Sequence, residues 1–316
     1  MNGKKAYPFL VLLVILLVFS FVFTGCGKTE PEEDLEEEET KEEEMSPPEI
    51  VRQIAPIAVI IANNASARPQ SGLQEASLVY EFLVEGGITR FLVIFDALPE
   101  EDMNIGPVRS LRPYFAHQAI EHVDKILHGG YSSKTAEKIK GLDLTHVVSS
   151  TYLWRDSSRK APHNLYTDAE KIAEAAGGST LTEKNIEGPP PLPSGYEEGL
   201  DIEISYSSSN VVSYAYDSES KAYLRFFKGE PHTDRETGEQ YRARRVILRH
   251  TRHSGVADTN LVHIDLNGEG QAYLYEEGRK YDLRWEKKDG ITHYYFEDDT
   301  PVDISYGNTW IQVVRR

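Results

Sequence analysis

SLVYEFLVEGGITRFLVIFD, residues 77–96, reads as a β-hairpin. Two runs rich in β-branched and aromatic residues, Ser77–Glu85 and Ile88–Asp96, flank Gly86-Gly87, the signature of a tight two-residue turn. Such a turn sets Glu85 opposite Ile88, Leu83 opposite Arg90 and Glu81 opposite Leu92. Side chains alternate along a strand, so Glu81, Glu85 and Arg90 are expected on one polar face. Tyr80, Phe82, Val84, Phe91, Val93 and Phe95 are expected on the other, the core face.

Outward from this hairpin the pattern is mixed. Pro56–Ala62 is a short apolar run, the mark of a buried strand. Arg109–Val123, Lys134–Ile139 and Asp168–Ala176 read as helices, the last closed by Gly177-Gly178. Ile126–His128 and His146–Ser149 read as strands. Gly188-Pro189-Pro190-Pro191-Leu192-Pro193-Ser194-Gly195 is stiff and helix-breaking, so it marks an internal boundary. Beyond it the helix signal nearly vanishes, and short alternating segments recur about every ten residues. The expected class is α+β. A mixed α/β layer domain (47–187) is followed by a Pro-rich linker (188–195) and a mostly-β domain (196–316), a sandwich or small barrel.

The first 46 residues carry other signals. Lys4 and Lys5 precede an apolar run, Phe9–Phe23, too short for a comfortable membrane span and suited to a signal peptide. The run ends in Phe23-Thr24-Gly25-Cys26, which resembles a bacterial lipobox, with Phe23 where leucine is usual. Cys26 is the only cysteine among 316 residues, which excludes an internal disulfide framework. Residues 1–25 are thus expected to be a lipoprotein signal peptide. Lipid on Cys26 would tether the chain to the outer face of the cytoplasmic membrane. Residues 26–46 read as an acidic, extended tether, because blocks of like charge repel. The whole chain carries a net charge of −17, and residues 47–316 hold thirty Lys and Arg against forty Asp and Glu. That balance argues against a nucleic-acid partner, and it makes any cluster of arginines stand out.

Three segments could carry chemistry. The hairpin offers Glu81, Glu85 and Arg90. In Asn104–Pro113, Ser110 reads as a helix N-cap, which would put Arg109 and Arg112 at a helix start. Cations are disfavoured there, so a compensating carboxylate or a ligand anion is implied. The loop Trp154–Tyr166 adds Arg155, Arg159, His163 and Asn164. His232 with Asp234, and Arg249-His250-Thr251-Arg252-His253, hold metal-capable or basic groups but lack the spacing of a site. P-loop, dinucleotide-binding, zincin and nucleophile-elbow motifs are absent.

Ala67-Arg68-Pro69-Gln70-Ser71-Gly72-Leu73, Val79-Tyr80-Glu81, Glu85-Gly86-Gly87-Ile88-Thr89-Arg90-Phe91, Gly106–Tyr114 and Ala161–Thr167 together resemble the YerB-like family of Firmicute lipoproteins. Gly229–Asp234 and Gly307–Ile311 resemble its C-terminal domain; Leu111 stands where the family often has alanine. The resemblance spans residues 50–316 and implies a lipid-anchored, two-domain protein with no established activity. Two functions remain open. One is a binding module presenting Arg90, Arg109, Arg112, Arg155 and Arg159 to an anionic envelope or protein ligand. The other is a hydrolase or transferase acting on an envelope polymer. There Glu81 or Glu85 would be the base and His163 the acid, or all three would hold a divalent metal; no other cofactor is expected. If the carboxylates and His163 converge with Arg109, the enzyme reading gains; if arginines saturate each carboxylate, it loses.

Overall fold

The hairpin forms one residue out of the expected register. The structure, a computed structural model, describes residues 49–98, 103–184, 190–256 and 261–316. The expected signal peptide, Cys26 and the expected acidic tether lie outside these. Strand β1 is Glu49–Ala62, β2 is Leu78–Leu83 and β3 is Thr89–Leu98. In the β2–β3 pair, Tyr80 faces Leu92, Glu81 faces Phe91 and Phe82 faces Arg90. The Val84 N–H donates to the Ile88 carbonyl at 2.8 Å and closes a three-residue loop, Glu85–Gly87. Gly86 and Gly87 have φ of 78° and 71°, where a side chain would be strained. One extra loop residue moves one strand past the other by one position and exchanges the faces. The expected grouping is therefore corrected: Glu81 lies with Phe91, Val93 and Phe95, while Arg90 lies with Tyr80 and Phe82. The apolar pattern did not oppose the wrong register, because all six residues of β2 are buried and both faces are core.

Further strands are β4 (Lys125–Leu127), β5 (Thr145–Val147), β6 (Arg245–Thr251) and β7 (Thr309–Arg315). They belong to a twelve-stranded sheet running Glu197–Glu198, Arg279–Lys288, Glu269–Glu276, β6, β7, β2, β3, β1, β4, β5. Ile291–Phe296 pairs with Arg279–Lys288, and Ser179–Lys184 with β1. The join between the halves is parallel, from Leu78 opposite Thr309 to Phe82 opposite Val313. The two domains expected on either side of linker 188–195, 47–187 and 196–316, thus share a sheet. Ser46–Arg316 is a single compact unit. The reason lies in β2 and β7, which bury apolar groups on both faces and so need a strand on both edges. Leu192, inside the linker, packs on the core as well.

The α+β class stands. Helices α1 (Pro113–Ala119), α2 (Ser133–Ile139) and α3 (Ala169–Ala176) precede the junction, and the described residues after it are strands and turns. On one face of the sheet Val79, Phe91, Val93 and Trp310 share a core with Ile202, Val212, Tyr214 and Tyr223 of a five-stranded sheet. On the other, Tyr80, Phe82, Leu92 and Ile311 pack with Tyr114, Phe115, Ala116 and Ala119 of α1. Each such side chain contributes about 1.5–3 kcal/mol through burial.

Helix α1 starts later than expected. Arg112, not Ser110, is its N-cap, and Pro113 opens it because proline suits the first turn. Residues 107–111 instead run beside the end of β1. Strands β1 and β4 pair in parallel only at Ala58–Ile126 and Val59–Leu127. Beyond that they splay, and Arg109 fills the gap. Its N–H donates to the Ile60 carbonyl at 2.8 Å and its carbonyl accepts from Gly129 N–H at 2.9 Å. Gly106 permits this route: a Cβ there would sit 2.7 Å from the Tyr166 ring.

Candidate functional site: an arginine fork at the strand ends

Strands β1, β4 and β5 are parallel, and their carboxyl ends point the same way. In open sheets with helices, ligands gather outside such ends. The fork between β1 and β4 is lined by Arg109, by Arg90 from the start of β3, by Arg112 and by His163.

Arg90 is 6% exposed and donates to the Ser110 carbonyl. Burial, then the charges of Arg112 and Arg109, lower its pKa to about 10; Tyr114 and Glu85 oppose this. Arg109 is lowered by burial and by Arg112, and its guanidinium donates to the Pro162 carbonyl at 3.3 Å. Arg112 holds Glu85 in a two-pronged pair, Nε–Oε1 2.5 Å and Nη2–Oε2 3.2 Å. Burial pushes the Glu85 carboxyl up, but hydrogen bonds from Arg112 and its own backbone, with the charges of Arg112 and Arg90, bring it below its usual value.

His163 Nε2 lies 3.2 Å from Asn64 Nδ2. That amide nitrogen donates, so the ring proton of neutral His163 resides on Nδ1. Nδ1 is buried without a hydrogen-bond partner among the described residues. Burial, then Arg109, Arg159 and Arg90, keep His163 below its ordinary pKa. The fork therefore gathers three guanidiniums, one carboxylate and one orphan N–H donor.

Of the residues singled out in the sequence, Glu85, Arg90, Arg109, Arg112 and His163 come together. Glu81 does not: the register shift carries it through the sheet. It is fully buried and accepts from Asn63 Nδ2 at 2.9 Å, Thr89 Oγ1 at 2.5 Å and Arg225 Nη2 at 2.7 Å. Arg225 is equally buried; it also donates to Tyr214 and, through Nε, to His232 Nδ1 at 3.0 Å. His232 Nε2 donates to Gln70 Oε1 at 2.7 Å, Gln70 Nε2 to Asn63 Oδ1 at 2.8 Å, and Asn63 back to Glu81. This closed ring joins the two halves of the chain across the core. Burial, then Arg225 and Arg68, hold His232 neutral, far below its ordinary pKa.

Arg155, exposed at the rim, donates to Asn164 Oδ1 at 2.8 Å, which fastens their loop. Arg159 donates to the carbonyls of Ala67, Arg68 and Pro69 and to the Tyr166 hydroxyl, so it braces loop 67–69 rather than facing the fork alone. Asp234 accepts from Gly72 N–H and the Tyr241 hydroxyl, and His232 belongs to the ring, so the two are not a metal pair. Arg249 is buried, donates to Gln118 at 2.8 Å and lies over the Trp285 ring. Among the described residues no three His, Cys, Asp or Glu side chains gather as a metal site. Each candidate carboxylate is held by an arginine, Glu81 by Arg225 and Glu85 by Arg112.

Arg225 carried no signal in the sequence, 144 positions from its partner. Gln70 and Asn64 lay in or beside quoted motifs, but nothing in their spacing assigned them a role.

Residues 43–182 match a family model described as a protein of unknown function (DUF3048), N-terminal domain, and residues 202–311 match its C-terminal domain. "Putative lipoprotein YerB" of Bacillus subtilis (strain 168) is 32% identical over 275 residues, covering 82% of this chain and 81% of that protein. The crystal structure of YerB from Bacillus subtilis superposes with a TM-score of 0.69 at 30% identity, covering 83% of this chain and 91% of that one.

Proposed function

We propose that this chain, which belongs to the DUF3048 family, is a lipid-anchored binding module that takes an anionic group in the arginine fork. The anchor is Cys26, the lone cysteine after an apolar run, and the printed name of the Bacillus relative, a putative lipoprotein, supports it. The anchored chain sits on the outer face of the cytoplasmic membrane and meets envelope components or neighbouring proteins there.

One observation carries the binding reading. Arg90, Arg109 and Arg112 share a single carboxylate, Glu85, in a half-buried fork at the strand ends. Burial first, and then the like charges of neighbouring arginines, disfavour the charged forms of Arg90 and Arg109, and an arriving anion offsets both. Calorimetry with inorganic phosphate tests it. Arg109→Gln should weaken binding about tenfold, and Glu85→Gln, which frees Arg112, should strengthen it. Equal affinity in the parent and both variants would overturn the reading.

A further inference from the structure

We infer that the ligand of this fork is amphipathic, a phosphate monoester whose short alkyl or acyl chain lies in the groove beside α1; this rests on the anion-binding reading above. The groove begins where the fork ends. Arg112 lines a depression of about 230 Å³ with Pro113, Lys138 and Val262, and those last three residues also line a second one of about 290 Å³. The two therefore adjoin at these three residues beside α1. The second is floored by Tyr114, Ile264 and Leu266, all buried and apolar, with Lys287 at its far end. Its size suits a small ligand chain, and its floor has the predominantly apolar character of ligand sites.

Two features select the occupant. The first is charge. Three guanidiniums against Glu85 leave two positive charges, the charge that a phosphate monoester offers near neutral pH. Its oxygens match guanidinium forks and would accept from the orphan Nδ1–H of His163. The second is the groove's composition. Lys134 and Lys138 stand on its rim without an ion pair among the described residues, while Tyr114, Ile264 and Leu266 form the floor between polar walls that include His117, His263, Asp265 and Asn267. A polyanion would find cations only on the rim; an alkyl phosphate satisfies both fork and floor.

The test compares inorganic phosphate with butyl phosphate on the full chain in an uncharged detergent. Each buried methylene is worth about fourfold in affinity, so a partly buried butyl group should bind at least tenfold tighter than phosphate. Val262→Ala should erase part of that gain, and Val262→Trp, which fills the groove without adding charge, should erase it, each lowering the affinity for butyl phosphate more than that for inorganic phosphate. Butyl phosphate binding no tighter than phosphate, with both still weakened by Arg109→Gln, would overturn the groove and spare the fork. Binding of either that ignores Arg109→Gln would overturn the fork, and with it this inference.

Discussion

Removing the Glu81 carboxylate should destabilise the whole described unit. In Glu81→Ala, Arg225 keeps its charge in a site where its side chain is 1% exposed, and it retains only the Tyr214 hydroxyl and His232 Nδ1 as acceptors. An uncompensated buried charge costs about 3–5 kcal/mol. The contrast is Glu85→Ala, which breaks a pair whose side chains are 21% exposed on both sides. Water can reach that pair, so the loss is smaller than for Glu81, about 1–2 kcal/mol. Urea unfolding followed by far-ultraviolet circular dichroism and by tryptophan fluorescence gives both values. Because Glu81 lies in the twelve-stranded sheet before the junction and Arg225 in the five-stranded sheet after it, both probes should shift together in Glu81→Ala. A double variant, Glu81→Leu with Arg225→Met, should recover much of the loss, since an apolar pair can replace a buried ion pair at little cost. A loss below about 1 kcal/mol, or unfolding of the residues before the junction alone, would refute the reasoning.

Stability should fall as pH drops from 6.5 towards 4. His128 is pushed down to about 4 by burial and by neighbouring His146, below the value of about 6.5 in an unfolded chain. The unfolded state therefore binds the proton first. The contribution is complete above pH 6.5 and is lost on acidification, up to about 3 kcal/mol. His128→Phe should flatten that part of a urea-midpoint profile, and an unchanged slope would count against it. A protease site inserted after Gly195 should give two fragments that stay together on gel filtration, because β2 pairs with β7; separation would contradict the shared sheet. Cys26→Ala should abolish labelling by radioactive fatty acid and leave unprocessed precursor, whereas normal labelling would end the lipid-anchor reading.

Much of the strand pattern was legible. The recurring short strands beyond the junction appear, and α2 and α3 lie within a residue or so of their expected bounds. These elements have one wet face, so their periodicity is informative. The hairpin register was not legible, because Gly86-Gly87 fits either a two- or a three-residue loop and both faces of β2 are apolar. The fork was legible in five residues, since arginines out of keeping with an acidic chain drew notice to them. The Glu81–Arg225 pair was not, because an ion pair bridging 144 positions leaves no local trace. Arg155 and Arg159 looked like ligand groups because a sequence shows charge and not the carbonyls that satisfy it.

The slot of β7 bears on the order of assembly. Residues 309–315 lie between β2 and β6, parallel to both. A chain made, or threaded through a membrane pore, from its amino end presents β2 with one edge unpaired until residue 315 has emerged. Non-local pairings of this kind form late, after the loop that joins them has closed. The nascent protein should thus remain pliable until that stretch arrives and then lock once. A product halted before residue 309 would expose two apolar strand edges and be drawn into aggregates.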